Sequence, residues 1–206
     1  MLLRQRVYRL LEIFERLRQQ LPLAQLPWQG DGLQAGVLVA ITDEQEPRVI
    51  LGRRAAHLRL HPGEIAFAGG KRETEDATPW ATALREAREE LGLQPALVRP
   101  LGELEPLYTR SEFQVHPCVA VVPAVFDMVV DRDEFDSVFL TPLTTFAIRS
   151  QYRLEKMQGE SGTRWVPHYH INDDDIWGVT AKILVQIVNV ALQVKLELEP
   201  TTGVQL

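Results

Sequence analysis

The sequence predicts an α+β fold, an α/β/α sandwich in which a mixed β-sheet lies between helices. Three observations support this prediction. The patterns of apolar residues follow the order β-β-β-α-β-β-α along the chain. An amphipathic helix is predicted at one end and an apolar helix at the other, so helices can cover both faces of the sheet. A chain of 206 residues, 45% of them hydrophobic, is long enough for one well-filled domain over residues 1–206.

The first predicted elements are a helix and a hairpin. Residues 3–21 show apolar positions at steps of four and three, the spacing of an amphipathic helix, and these positions are Leu3, Val7, Leu10, Phe14, Leu17 and Leu21. This helix could pack on its own domain or form the contact of a homodimer. A stretch rich in Pro and Gly, residues 22–32, follows. Segments 36–41 and 48–51 are then predicted as two strands joined by a polar turn.

The remaining elements complete the pattern. A short strand at 64–67 leads to Gly69-Gly70, and the apolar spacing over 81–91 predicts a helix that ends at Gly92. Further strands are predicted at 101–107, 115–122 and 138–140, with a second hairpin formed by 152–157 and 164–170. Residues 176–198 are apolar around most of a helical circumference, which predicts a helix buried in the core or in an interface.

Composition and charge narrow the classes of function. The net charge is −6 and no run is rich in Lys or Arg, which argues against binding of duplex nucleic acid. No apolar stretch approaches the roughly 20 residues of a membrane span. The single Cys118 cannot form an intramolecular disulfide, and we interpret it as a buried strand thiol. We therefore expect a cytoplasmic protein without nucleic-acid or membrane partners.

Three carboxylates share one face of the central predicted helix. Glu89 and Glu90 follow Glu86 by three and four residues, so all three lie on neighbouring positions. Their repulsion favours a bound cation, and carboxylates without Cys or His in zinc spacing favour Mg²⁺ or Mn²⁺. A loop at Gly69-Gly70 could aim a carbonyl oxygen at the same ion. Arg85 is four residues before Glu89, the spacing at which it could orient that carboxylate.

The run from Arg85 to Leu93, with Gly69-Gly70 before it, resembles the Nudix box, Gly-x5-Glu-x7-Arg-Glu-U-x-Glu-Glu-x-Gly-U, where U is a bulky aliphatic residue. The second half matches except for Ala87 at the first U. The first half is one residue longer, and Asp76 or Ala77 stands in the place of the early Glu. The resemblance implies a Nudix-like fold and a pyrophosphohydrolase that acts on a phosphoric anhydride.

A second resemblance lies upstream of the box. Residues 50–70 resemble the additional signature of the coenzyme A pyrophosphatase branch of Nudix hydrolases, Leu-Leu-Thr-x-Arg-Ser-x3-Arg-x3-Gly-x3-Phe-Pro-Gly-Gly. The matching residues are Arg54, Arg59, Gly63, Phe67, Gly69 and Gly70, whereas Gly52, Ala55 and Ala68 replace Thr, Ser and Pro. Late in the chain, Trp177 to Ala181 resembles the Trp-Gly-x-Thr-Ala segment of that branch.

The Nudix resemblance implies roles for individual residues. The ligands of Mg²⁺ or Mn²⁺ would be Glu86, Glu89, Glu90 and the carbonyl of Gly69. The catalytic residues would be Glu86, Glu89 and Arg85. Glu86 is the predicted general base, with Glu112 and Glu134 as alternatives.

The predicted substrate is coenzyme A or a derivative, cleaved to 3′,5′-ADP and 4′-phosphopantetheine. Arg54, Arg59 and His61 are candidates to bind its phosphates; the alternatives are salt bridges or, for His61, a hydrogen bond within its loop. Other substrates also fit the resemblance, namely ADP-ribose, a dinucleotide or a nucleoside triphosphate. A non-catalytic Nudix module that senses a nucleotide is a further alternative.

Overall fold

The computed structural model describes residues 12–23, 25–109, 111–159 and 162–200. Helix α1 is described over residues 12–20, and residues 3–11 of the predicted first helix lie outside the described chain. The strands are β1 (Gln34–Asp43), β2 (Arg48–Arg54), β3 (Ile65–Ala66), β4 (Ala68–Lys71), β5 (Arg99–Glu103), β6 (Leu107–Tyr108), β7 (Gln114–Pro123), β8 (Phe135–Pro142), β9 (Tyr152–Gly159), β10 (Gly162–Ile171) and β11 (Asp174–Trp177). The other α-helices are α2 (Pro79–Leu91) and α3 (Gly178–Leu192).

Eight strands form the larger sheet. Its main path runs β3-β2-β1-β7-β5, while β4 pairs with β1, β6 with β7 and β8 with β2. Strands β1 and β7 are parallel over their full length, from Gln34 opposite Gln114 to Asp43 opposite Pro123. The other pairs in this sheet are antiparallel. The prediction of a mixed sheet is therefore confirmed.

Helices cover both faces of this sheet. Side chains of β1 alternate between two cores because successive residues of a strand point to opposite faces. Leu38 and Ala40 pack in the core that includes Ala83 of α2. Val39 and Ile41 belong to the other core, to which the helices α1 and α3 contribute, for example through Leu17 and Leu184. The predicted arrangement of a mixed sheet between helices is confirmed.

The second sheet contains β9, β10 and β11, all antiparallel. Its hairpin of β9 and β10 was predicted, but β11 was not. The final helix is shorter than the predicted 176–198, because Ile176 and Trp177 pair with β10 and Gln193, in a left-handed conformation at φ 54°, ends α3. No described helix is long and apolar enough to cross a membrane.

The glycine pair lies in a strand rather than in the predicted loop. Gly69 and Gly70 are part of β4 and stand opposite Val37 and Gly36 of β1. The pairing with β1 holds both residues in the strand, and Gly69 has a positive φ of 157°. The missing side chain of Gly70 leaves room for Glu86 of α2, and that of Gly69 allows the close approach of Gly36 and Val37 in β1.

Candidate active site

Local sequence fixes both ends of the acidic helix α2. The hydroxyl of Thr78 accepts a hydrogen bond from the Ala81 N–H at 3.1 Å, and Pro79 occupies the first helical position. At the other end, Gly92 adopts φ 68° and donates its N–H to carbonyl groups of the last turn. The predicted helix end at Gly92 is confirmed.

Two glycines let the sheet approach α2 closely. A Cβ atom on Gly36 of β1 would lie 2.5 Å from the carbonyl oxygen of Pro79. A Cβ atom on Gly70 of β4 would overlap the carboxylate of Glu86. The Glu86 carboxylate therefore lies directly on the backbone of β4, in space that only glycine leaves open.

Glu90 is the most deeply buried acid of this face. Its side chain is 4% exposed, and its Oε2 accepts a hydrogen bond from the N–H of Gly69 at 3.0 Å. Burial, together with the negative charges of Glu86 and Glu134, raises the pKa of Glu90 to about 8, against the opposing effect of the Gly69 hydrogen bond. The negative charge of ionised Glu90 is therefore poorly compensated by its surroundings.

Glu86 is also partly withdrawn from solvent. Burial raises the pKa of Glu86, the nearby Arg85 opposes this shift, and the charges of Glu89 and Glu134 add to it. The Oε1 of Glu86 lies 2.9 Å from Nη1 of Arg85. Glu86 and Glu90 therefore form a pair of desolvated carboxylates with raised pKa values.

Arg85 connects most of the acids around α2. Its guanidinium lies 3.0 Å from Asp76, 2.9 Å from Glu86 and 3.0 Å from Glu89, and it donates to the carbonyl oxygen of Lys71 at 3.1 Å. The hydrogen bond with Asp76 is the main cause of the raised pKa of Arg85. The predicted contact between Arg85 and Glu89 is present, but it is one of several that hold this guanidinium in place.

Asp76 takes the place of the early Glu of the box. It is 5% exposed and accepts hydrogen bonds from Arg85, from the Thr82 hydroxyl at 2.8 Å and from the Glu73 N–H at 3.0 Å. Burial alone would raise the pKa of Asp76, but these bonds outweigh it and lower the pKa. From the sequence, either Asp76 or Ala77 could stand in the place of the early Glu. In the structure, Asp76 is the residue that binds Arg85. Thr82, which lies one turn before Arg85 on the same face, was not among the site residues predicted from the sequence.

Glu89 differs from the other two acids of α2. Its side chain is half exposed and contacts Arg85 at 3.0 Å and Arg88 at 3.9 Å. The second contact is the ordinary surface ion pair that a solvated helix face predicts. Glu89 is therefore more exposed than the pair formed by Glu86 and Glu90, although it shares Nη1 of Arg85 with Glu86.

Of the two later acids considered as a base, Glu134 lies near the buried pair. It precedes β8 in a turn where the N–H of Asp131 donates to the Glu90 carbonyl at 2.9 Å and the N–H of Ala55 donates to the Glu134 carbonyl at 2.8 Å. The charge of Glu134 raises the pKa values of both Glu86 and Glu90. Glu112 instead lies exposed in the turn before β7.

The three candidates for phosphate binding fall into two groups. Arg54 reaches the acidic site, with its Nη2 3.7 Å from Oε2 of Glu134, and its charge lowers the pKa of Glu90. Arg59 and His61 lie exposed in the loop between β2 and β3. His61 has φ 57° and contacts Glu64 at 3.0 Å, which is the loop hydrogen bond considered as an alternative.

The side chains fit a divalent cation only after adjustment. Across the described ranges, no three His, Cys, Asp or Glu side chains stand grouped to hold a metal ion in their present positions. The donor set nevertheless suits one, because the buried Glu90 carries a pKa of about 8 beside Glu86 and Glu134. A hard divalent cation would offset that repulsion, and oxygen donors favour Mg²⁺ or Mn²⁺.

A mixed sheet between helices, with a capped acidic helix packed against a glycine-bearing strand, defines a Nudix-type domain. The family model described as the NUDIX domain matches residues 32–185. The chain therefore belongs to the Nudix family. It is an enzyme of the pyrophosphohydrolase class, which acts on phosphoric anhydrides.

Relatives support the family assignment, and a solved structure supports the fold. The chain is 34% identical over 166 residues to a protein of Enterobacter sp. (strain 638) named "Uncharacterized Nudix hydrolase NudL", covering 78% of this chain and 82% of the relative. A protein of the same name from Salmonella paratyphi B is 36% identical with the same coverage. A crystal structure from Deinococcus radiodurans shares the fold with a TM-score of 0.50 and 16% identity, covering 78% of this chain and 85% of that one.

Proposed function

We propose that this Nudix hydrolase cleaves the diphosphate bond of coenzyme A or a derivative in the presence of Mg²⁺ or Mn²⁺, yielding 3′,5′-ADP and 4′-phosphopantetheine. The observation that carries the proposal is that Arg54, a residue of the upstream signature, lies 3.7 Å from Glu134, and that the charges of Arg54 and Glu134 both act on Glu90 of the box. The two resemblances thus meet in one site. The substrate assignment rests on the upstream residues, and the proposed hydrolysis of the diphosphate bond rests on the acids of α2.

We assign the metal ligands to Glu86, Glu90 and Glu89, with the carbonyl of Gly69 as a further donor. Glu89 would have to leave Arg85 to take part, since the two now form an ion pair. A bound Mg²⁺ would screen the charges of the diphosphate and lower the pKa of a bound water. The Gly69 N–H already holds one oxygen of Glu90, so this carboxylate is oriented before an ion arrives.

We assign Glu86 as the general base. Its raised pKa makes it a better proton acceptor than an ordinary surface carboxylate. Arg85 contacts Glu86 at 2.9 Å and is itself held by Asp76, so it fixes the direction of the accepting oxygen. Glu134 is the alternative base, because it is the later acid whose charge acts on Glu86, whereas Glu112 lies exposed in the turn before β7.

Arg54, Arg59 and His61 are proposed to bind the phosphates of the substrate. Arg59 makes no hydrogen bond or ion pair within the described part of the chain, so its guanidinium is available to a ligand. A guanidinium can bind a phosphate through two parallel hydrogen bonds. His61 would have to exchange its contact with Glu64 for one with the substrate.

One departure from the upstream signature has a local cause. A Cβ atom on Gly52 would overlap the ring of Phe135, which is buried in the core beside it. The Thr of the signature would therefore not fit here unless Phe135 moved. Gly52 is explained by this packing and does not by itself favour a different substrate. Ala55 and Ala68, both buried, have no comparable explanation.

A panel of substrates tests the proposal. The protein is incubated with Mg²⁺ and, separately, with coenzyme A, acetyl-coenzyme A, ADP-ribose, diadenosine tetraphosphate and a nucleoside triphosphate, and the products are identified by mass. We expect the highest kcat/KM for coenzyme A or its thioester, with release of 3′,5′-ADP. A higher kcat/KM for ADP-ribose or another member would overturn the branch assignment. Absence of any turnover would favour the non-catalytic module.

Location and assembly are separate proposals. We propose a cytoplasmic location and retain a homodimer as the assembly to test. Light scattering after size-exclusion chromatography measures the mass in solution. A mass near the 23.4 kDa of one chain would exclude the dimer under those conditions.

A further inference from the structure

The backbone of Arg54 is fixed at the point where a regular ladder ends. Strand β2 pairs with β8 in regular register from Arg48 to Arg53, and the register then shifts so that Arg54 stands opposite Phe135. The extra residue is Asp136 of β8, so Arg54 is the residue of β2 at which the regular pairing ends. The N–H of Arg54 donates to the Glu64 carbonyl at 2.9 Å, and its own carbonyl accepts from Gly63 at 3.0 Å. The base of this side chain is therefore rigid.

The guanidinium of Arg54, in contrast, is only loosely held. Its Nη2 lies 3.7 Å from Oε2 of Glu134, beyond the roughly 2.7–2.9 Å of a charge-assisted hydrogen bond. Its Nε is buried and has no hydrogen-bond partner among the described residues. A buried donor without an acceptor is unfavourable. In its present position, the guanidinium therefore has one buried donor, Nε, that lacks an acceptor oxygen among the described residues.

The other arginine of the site behaves differently. Arg85 contacts oxygen atoms of three acids and one backbone carbonyl, all within 3.1 Å. Arg85 stabilises the charge of Glu86, whereas Arg54 stabilises that of Glu90. The site therefore contains one arginine that is locked in place and one that can leave.

We propose that Arg54 is an exchangeable counter-cation: it occupies the space beside Glu134 and Glu90 until a divalent ion enters, and it then turns to bind a phosphate oxygen of the substrate through Nη2 and Nε. This inference rests on the proposed function. It makes Arg54 a residue that couples metal loading to substrate binding, and it makes Glu134 a member of the cation site. Arg54 and the ion compete for the same carboxylates, so Arg54 lowers the affinity of the free enzyme for the ion.

Titration calorimetry with Mn²⁺ alone, on the full chain, tests the competition. We expect Arg54→Met to bind Mn²⁺ about five- to tenfold more tightly than the wild type, the lower end of typical coupling between sites. Arg54→Lys keeps the charge and should stay near the wild type. The matched control is Arg53→Met, which removes a charge from the adjacent residue, whose partner is Asp174. Its Mn²⁺ affinity should not change.

A double-mutant cycle separates direct competition from a general change in charge. Glu134→Gln should weaken Mn²⁺ binding about fivefold or more, because it removes a donor. In that background Arg54→Met should give a smaller gain than in the wild type, since its partner is already neutral. Thermal unfolding without metal confirms that each variant is folded.

A kinetic measurement tests the second half of the exchange. With saturating Mn²⁺, Arg54→Met should raise the KM of the best substrate about tenfold, the value of a hydrogen bond to a charged group, and change kcat less. Mn²⁺ affinity in Arg54→Met equal to or weaker than the wild type would overturn the inference while leaving the metal site intact. Failure of the wild type to bind Mn²⁺ would instead overturn the proposed function, and this inference with it.

Discussion

The acidic side of α2 and the loop that joins β2 to β3 are built in opposite ways. Around α2, Asp76 is buried and accepts three kinds of hydrogen bond, and Arg85 is held by several oxygen atoms. In the loop, Arg59 and His61 are exposed, and the contact of His61 with Glu64 stays within the loop itself. The residues proposed for the chemistry are thus held by contacts in the folded chain, whereas two of the residues proposed for substrate binding are exposed. Arg54 stands between the two regions.

The largest expected effect comes from the buried pair. Glu86→Gln should lower kcat by at least about 100-fold, as expected for loss of a general base. Glu90→Gln should cause a loss of similar size through weaker metal binding, measurable by Mn²⁺ titration. Both variants should remain folded, because an amide is less costly to bury than a charge. In Glu90→Gln, the oxygen of the new amide can still accept the hydrogen bond from the Gly69 N–H.

Glu89→Gln is the matched control for these two variants. It removes an acid from the same helix, but one that is half exposed and paired with Arg85 and Arg88. Its loss of kcat should be smaller than that of either buried acid. Equal losses in all three variants would show that the distinction between buried and exposed acids has no functional meaning.

The second expected effect is on stability. Asp76→Asn should lower the free energy of unfolding at pH 7 by about 2 kcal/mol, because Arg85 loses its most buried partner while keeping others. Asp76 has a lowered pKa in the folded state, so its contribution is present above its unfolded pKa of 3.8 and is lost as the pH falls through the folded value. The difference between the wild type and D76N should therefore shrink below about pH 4.

Urea unfolding at pH 7 and pH 3 measures this difference. Glu73→Gln is the control, because Glu73 is exposed and lies 3.7 Å from Arg85. We expect less than about 0.5 kcal/mol for this surface change. A loss in D76N that stays the same at both pH values would contradict the role given to the charge of Asp76.

The same contrast explains what the sequence could predict. The shared face of Glu86, Glu89 and Glu90 and the helix end at Gly92 follow from helical geometry within a few residues, and the structure agrees. The sequence named Glu112 and Glu134 as alternative bases but could not decide which one approaches Glu86, because the approach depends on the fold bringing together residues 48 positions apart in sequence, from 86 to 134. Local patterns carry no information on such contacts.

Two elements were misjudged for a related reason. The Gly69-Gly70 pair has the composition of a loop, but pairing with β1 holds it in a strand, and close packing with Glu86 requires Gly70. Likewise Ile176 and Trp177 continue the apolar pattern of α3 but are held by β10. In both cases partners distant in sequence outweighed the local preference.

The smallest expected effect lies in the exposed loop. Arg59→Ala should raise KM about two- to fivefold, the range of an exposed charged contact, and leave kcat and the unfolding temperature unchanged. His61→Asn should act similarly, and Asn tolerates the left-handed backbone found at position 61. His57→Ala, in the same exposed loop but outside the proposed set, serves as the control. A fall in kcat for Arg59→Ala without a change in KM would show that Arg59 acts in the catalytic step, like the residues around α2. That result would contradict the distinction between the two regions.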